Sequence, residues 1–119
     1  MTIRALLIAN RGEVAIRVAR AAAELGIRTV GVWSDDDREA AHPRFTDAAH
    51  ALAAAGPAAY LDADALLRVA RESGCDAVHP GYGFLAENAD FAARCGQAGL
   101  VFVWPAPATL RTLVDKVRA

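Results

Sequence analysis

Residues 3–9 read Ile-Arg-Ala-Leu-Leu-Ile-Ala, a short and nearly continuous apolar run of the kind that suits a strand buried on both faces of a parallel sheet. The period then changes. Glu13, Arg17, Arg20 and Glu24 recur at spacings of four, three and four, which gathers them on one helical face and leaves Val14, Val18, Ala22 and Leu25 on the other. Gly26 stands where a helix takes a left-handed closing residue, and residues 29–33 supply a second strand.

Residues 34–43 carry Asp35, Asp36, Asp37 and a proline, the mark of a polar connection whose acidic run is solvated. Residues 48–54 form an apolar run that periodicity assigns to neither helix nor strand. Asp62 can cap a helix over residues 63–73 that closes at Gly74, and residues 76–79 form the next strand. After the loop 80–83 come a helix over 85–98, a strand over 101–104 and a last helix over 108–119. This alternation predicts a Rossmann-like α/β fold, an open parallel sheet with helices on both faces, whose ligands sit beyond the carboxyl ends of the strands. Two loops qualify, Asn10 to Gly12 and His79 to Asn88.

The 119 residues fit one domain at roughly 150 residues per domain. No internal repeat or linker divides them. The last helix reaches Ala119 without a capping signal, which is expected of a chain that continues. Lys plus Arg is 13 and Asp plus Glu is 14, so bulk charge gives no ground for binding nucleic acid or an anionic membrane. Hydrophobic residues make up 55%, much of it alanine, which predicts a real but thin core. No apolar run reaches the 18 or so residues of a membrane span, and the start Met1-Thr2-Ile3-Arg4 lacks a signal-peptide layout, so a cytoplasmic protein is expected. Cys75 and Cys95 read as core thiols.

Asn10-Arg11-Gly12-Glu13 lies at a strand-to-helix turn, where free N–H groups can hold an anion. It lacks the three glycines of a dinucleotide fingerprint, and Gly12 making a tight turn with Glu13 offsetting the helix dipole is the better explanation of the loop taken alone. The loop His79-Pro-Gly-Tyr-Gly-Phe-Leu-Ala-Glu-Asn88 is richer, because its glycines let backbone approach a ligand while Tyr82 offers a flat face and a hydroxyl. A metal site joining Cys75, His79 and Cys95 has poor spacing, and no metal is expected. Lys116, beside Asp115, is an ordinary exposed lysine when taken alone.

Together, Ala9-Asn-Arg-Gly-Glu13, Arg17-Val-Ala-Arg-Ala21, Glu24-Leu-Gly-Ile27, the His79 to Asn88 block and Asp115-Lys116 closely resemble the amino-terminal domain of biotin carboxylase, in the right order across nearly the whole chain. The resemblance implies a domain that precedes an ATP-grasp fold. It implies ligase chemistry in which MgATP phosphorylates bicarbonate to carboxyphosphate, which delivers carbon dioxide to biotin on a carrier domain. By the family's pattern Lys116 reaches the ATP phosphates, Tyr82 and Gly83 face the biotin ring, and the acid-base and magnesium residues lie downstream. Arg17, Arg20 and Glu24 match a region near the family's homodimer contact; a solvated face held by Glu13 to Arg17 and Arg20 to Glu24 pairs explains the same residues. The chain alone is then expected to be inactive.

Three positions depart from the family. Phe102-Val-Trp-Pro105 stands where Phe-Ile-Gly-Pro is usual, Val114-Asp-Lys116 where Gly-Asp-Lys is usual, and Ala106 at a helix cap that ordinarily carries an oxygen. Trp104 and Val114 put bulk where glycine is expected, in the segment that aims Lys116. Two alternatives stay open: a flavodoxin-like binding or signalling module, although Asn10 and Arg11 stand where a receiver wants acidic residues, and a segment of another ATP-grasp ligase. The final carboxyl acceptor is not encoded here.

Overall fold

A computed structural model describes residues 3–103. Its centre is β1 (Ala5–Ile8), whose four residues are all buried because they pack on both sides. Leu7 faces one apolar cluster, and its neighbours Leu6 and Ile8 face another. The alternation of side chains across a strand thus splits a single apolar run between two cores.

Four further strands join it, β2 (Arg28–Trp33), β3 (Ala48–Ala51), β4 (Ala77–His79) and β5 (Val101–Phe102), all parallel in the order β3-β2-β1-β4-β5. The open parallel sheet expected from the sequence is therefore present. The ambiguous run 48–54 resolves as the edge strand β3, with Val30 opposite Ala48 and Trp33 opposite Ala51. Pairing with β2 decides what periodicity does not.

Among the described residues α1 (Gly12–Glu24) is the helix that covers one face, whereas α2 (Ala63–Glu72) and α3 (Ala89–Gln97) feed the other cluster through Leu66, Val69, Phe91 and Cys95. In α1 the buried stripe is Ala15, Ala19 and Ala22; Val14 and Val18 are only half-buried, and Leu25 is 76% exposed. The expected stripe is thus rotated. Alanines let the helix lie close to the sheet, and the larger valines flank that contact.

Asp62 caps α2 by accepting a hydrogen bond from the Ala65 amide at 3.1 Å, and Gly74 follows the helix with φ +70°, as the sequence indicates. The helix expected from residue 85 begins instead at Ala89. Asn88 caps it by accepting from the Phe91 amide at 2.8 Å, and residues 84–87 form a turn whose Phe84 has φ +47°, outside any helix. Asp76 ties the starts of β1 and β4 at the opposite end of the strands, its carboxylate accepting from the amides of Arg4 and Ala5 at 3.1 to 3.2 Å. Both cysteines are buried in the core cluster as free thiols. The end of the last expected strand at Trp104, the helix over 108–119, Ala106, Val114 and Lys116 lie outside the described residues.

Candidate functional site

In a sheet ordered β3-β2-β1-β4-β5 the chain moves to one side of β1 first and to the other side later, so β1 and β4 flank the crevice where such folds bind ligands. The loop after β1 starts at Asn10 and the loop after β4 at Pro80. They meet. Asn10 is 2% exposed, and its side-chain amide donates to the carbonyls of Pro80 at 2.7 Å and Tyr82 at 2.8 Å. Its own carbonyl oxygen accepts from the Arg11 amide at 2.8 Å, which fixes which way the amide faces.

Gly81 makes this approach possible. It has φ +68°, and a Cβ there would lie 2.7 Å from Asn10 Nδ2 and 2.6 Å from Val14 Cγ1. His79 Nδ1 accepts from the Gly81 amide at 3.0 Å, and burial lowers the ring's pKa, so the histidine is a neutral acceptor that stiffens the turn. Tyr82 then projects outward, 79% exposed, and Gly83 follows with φ +69° and open space around it. Both residues singled out from the sequence for the biotin side are therefore at the crevice mouth.

Arg11, the residue before α1, is held from below. It donates through Nε and Nη2 to the two oxygens of Asp37, each at 2.6 Å. The expectation that the acidic run is solvated fails at Asp37, which is 6% exposed, while Asp35 and Asp36 are exposed. The hydroxyls of Tyr60, at 2.6 Å, and Ser34, at 3.3 Å, also donate to it. The Arg11 guanidinium holds the Asp37 carboxyl far below the usual carboxylate range, against the opposing effect of burial. Tyr60 in turn accepts from the Ser34 amide at 3.0 Å and packs its ring against Phe84 at 5.5 Å. Asp37 and Tyr60 escape sequence reasoning because three adjacent aspartates offer no signal for which one turns inward.

Arg17, Arg20 and Glu24 lie exposed along α1. Arg17 pairs with Glu13 at 3.4 Å as expected, whereas Arg20 sits over the Phe45 ring at 5.2 Å; among the described residues no ion pair joins it to Glu24. Beside this helix runs a groove of about 500 Å³ whose lining includes Val14, Val18, Leu25, Arg17, His79 and Tyr82. The groove thus brings Arg17, one of the three expected interface residues, together with Tyr82 of the expected ligand loop, while Arg20 and Glu24 lie outside its lining. Among the described residues no group of three or more His, Cys, Asp or Glu could hold a metal ion. No helix among them is long and apolar enough to cross a membrane.

A parallel α/β sheet with its loops tied together at the β1/β4 switch defines a doubly wound domain of the Rossmann-like class. The chain belongs to the family described as biotin carboxylase, N-terminal domain, which matches residues 2–110. It is similar to mitochondrial pyruvate carboxylase of Rattus norvegicus, 50% identical over 119 residues that cover 98% of this chain and 10% of that protein. It is also similar to the biotin-dependent acyl-coenzyme A carboxylase alpha3 subunit of Mycobacterium leprae (strain TN), 50% identical over 115 residues, 96% of this chain and 19% of that subunit. Among solved structures, the biotin carboxylase domain of a single-chain bacterial carboxylase superposes with a TM-score of 0.85 at 57% identity, covering 97% of this chain and 27% of that one. The chain thus spans a small part of each relative. A free-standing flavodoxin-like module is not favoured.

Proposed function

We propose that this chain is the opening domain of a biotin-dependent carboxylase, and that the activity resides in the longer polypeptide to which it contributes one wall of the active site. The observation that carries this reading is the crevice mouth, where Asn10, from the family's first block, is bonded to the Tyr82 loop of its fourth. In the whole enzyme MgATP supplies the phosphoryl group that activates bicarbonate for transfer to biotin. The chain's own part is to present surfaces. Tyr82 offers an aromatic face and a hydroxyl to the biotin ring, Gly83 allows close approach, and Lys116 is the residue we assign to the ATP phosphates. An ATP-grasp domain and a biotin carboxyl carrier domain are its partners in this reading. The Arg17, Arg20 and Glu24 face is a homodimer contact, and the protein works in the cytoplasm.

The test begins with the native polypeptide that carries this chain, purified from its source. Bicarbonate-dependent phosphate release from MgATP that rises with added biotin is the expected result, while residues 1–119 alone give none. A native species near 12.5 kDa with no biotin-dependent activity and no biotinylated companion overturns the reading.

A further inference from the structure

The segment Gly81 to Phe84 holds a backbone that does not hold itself. Gly81, Gly83 and Phe84 have φ of +68°, +69° and +47°, and left-handed geometry is unfavourable for a residue with a side chain such as Phe84. A stretch of this kind keeps one shape only when its surroundings fix it. Beside the His79 ring, which accepts from the Gly81 amide, two contacts do so here. At one end the Asn10 amide bonds the carbonyls of Pro80 and Tyr82; at the other the Tyr60 ring packs on Phe84. Both lead back to Asp37, through the Arg11 guanidinium and through the Tyr60 hydroxyl.

We propose that Asn10, oriented by Arg11 and anchored by Asp37, is a positioning residue that sets how Tyr82 and Gly83 face the ligand. This rests on the reading that Tyr82 and Gly83 face biotin. Asn10 uses both amide protons within the clamp, its oxygen accepts from Arg11, and it is 2% exposed, so its effect passes through the loop. The amide is also the one side chain of this size that fits the pattern. It must donate twice toward two carbonyls and accept once from an N–H. An aspartate of the same shape presents oxygens to both carbonyls.

Asn10→Asp in the native polypeptide is therefore expected to raise the KM for free biotin about five- to tenfold, the scale of one or two lost hydrogen bonds. The KM for MgATP moves less than about twofold, because in the proposed reading Tyr82 and Gly83 face biotin and the nucleotide is met by Lys116. Asp37→Asn, which keeps the shape but weakens the hold on Arg11, is expected to shift the biotin KM in the same direction. The double variant should show no more than the larger single effect, since both act along one path. Biotin and MgATP KM values that rise together, or a biotin KM unmoved in both single variants, overturn the proposal. If Asn10→Asp does not fold, Asp37→Asn decides alone.

A wild-type polypeptide without biotin-dependent activity defeats the functional reading instead. Amide NMR of residues 1–119 then still separates the two ideas. Asp37→Asn signals displaced at Gly81 to Phe84 uphold the positioning, and unshifted signals there overturn it.

Discussion

Arg11 and Asp37, separated by 26 residues, meet in a two-point ion pair whose N to O distances are both 2.6 Å. The arginine side chain is 47% exposed and the aspartate 8%, so solvent reaches one partner while the other depends on the protein for its charge. Such a pair is sensitive to the loss of the buried member, because the Tyr60 and Ser34 hydroxyls are aimed at the same carboxylate.

Asp37→Asn should lower the unfolding free energy by about 1.5–3 kcal/mol, the range for hydrogen bonds to a charged group. Asp35→Asn, at an exposed position in the same run, should change it by no more than about 0.5 kcal/mol. Urea denaturation of the two variants checks both. Equal midpoints would show that Asp37 has no special standing.

Gly81→Ala and Gly83→Ala share the cost of an alanine at positive φ, about 1–2 kcal/mol each. Only Gly81→Ala adds a collision with Val14 and Asn10, worth about another 1–3 kcal/mol. The expected order of stability is wild type, Gly83→Ala, Gly81→Ala, read from denaturation midpoints. A Gly81→Ala variant as stable as Gly83→Ala would contradict the close approach of the two loops.

His42 is buried with Nε2 donating to the Val32 carbonyl at 2.8 Å, and among the described residues Nδ1 has no hydrogen-bond partner. Burial lowers its pKa below the ordinary 6.5, so the folded chain keeps it neutral while the unfolded chain takes up a proton. The stability this confers is present above about pH 6.5 and is lost as the pH falls below it. His79 contributes in the same direction. Asp37 adds a separate loss at lower pH, beginning as the solution falls through about pH 4, where unfolded carboxylates protonate. His42→Gln retains a donor for Val32 and should flatten the first part of a plot of urea midpoint against pH. A slope identical to wild type would rule His42 out as its source.

Cys95 is 0% exposed with its thiol pushed up to about 11 by burial, and the Cys75 thiol is raised for the same reason. Neither should react with a thiol reagent at about pH 8 until the chain is unfolded, since the thiolate is the reacting form. Absorbance from a disulfide-exchange reagent, followed with and without denaturant, measures this. Rapid reaction of one thiol per folded chain would show that the core opens there.

Residues 3–9 announce β1 because no other element of that length buries both of its faces. Asp62, Gly26 and Gly74 announce helix ends because capping is a local matter of one oxygen or one left-handed residue. The blocks around Asn10 and His79 likewise mark the two site loops, since glycines beside a strand end carry their meaning within a few residues. The start of α3 was less legible. Leu85 and Ala86 suit a helix, but Phe84 is held at positive φ by its place against Tyr60, and Asn88 becomes the cap.

What the sequence determined alone was the class of fold, the family and the two loops of the site, all properties of short segments and their order. The tertiary structure decided which partners those segments chose. It made an edge strand of residues 48–51, turned Asp37 inward while Asp35 and Asp36 stayed in water, and set Asn10 against the Tyr82 loop. Each of these depends on groups 18 to 72 residues apart, and a hydrogen bond or ion pair across such a distance leaves no period or spacing in the chain that forms it.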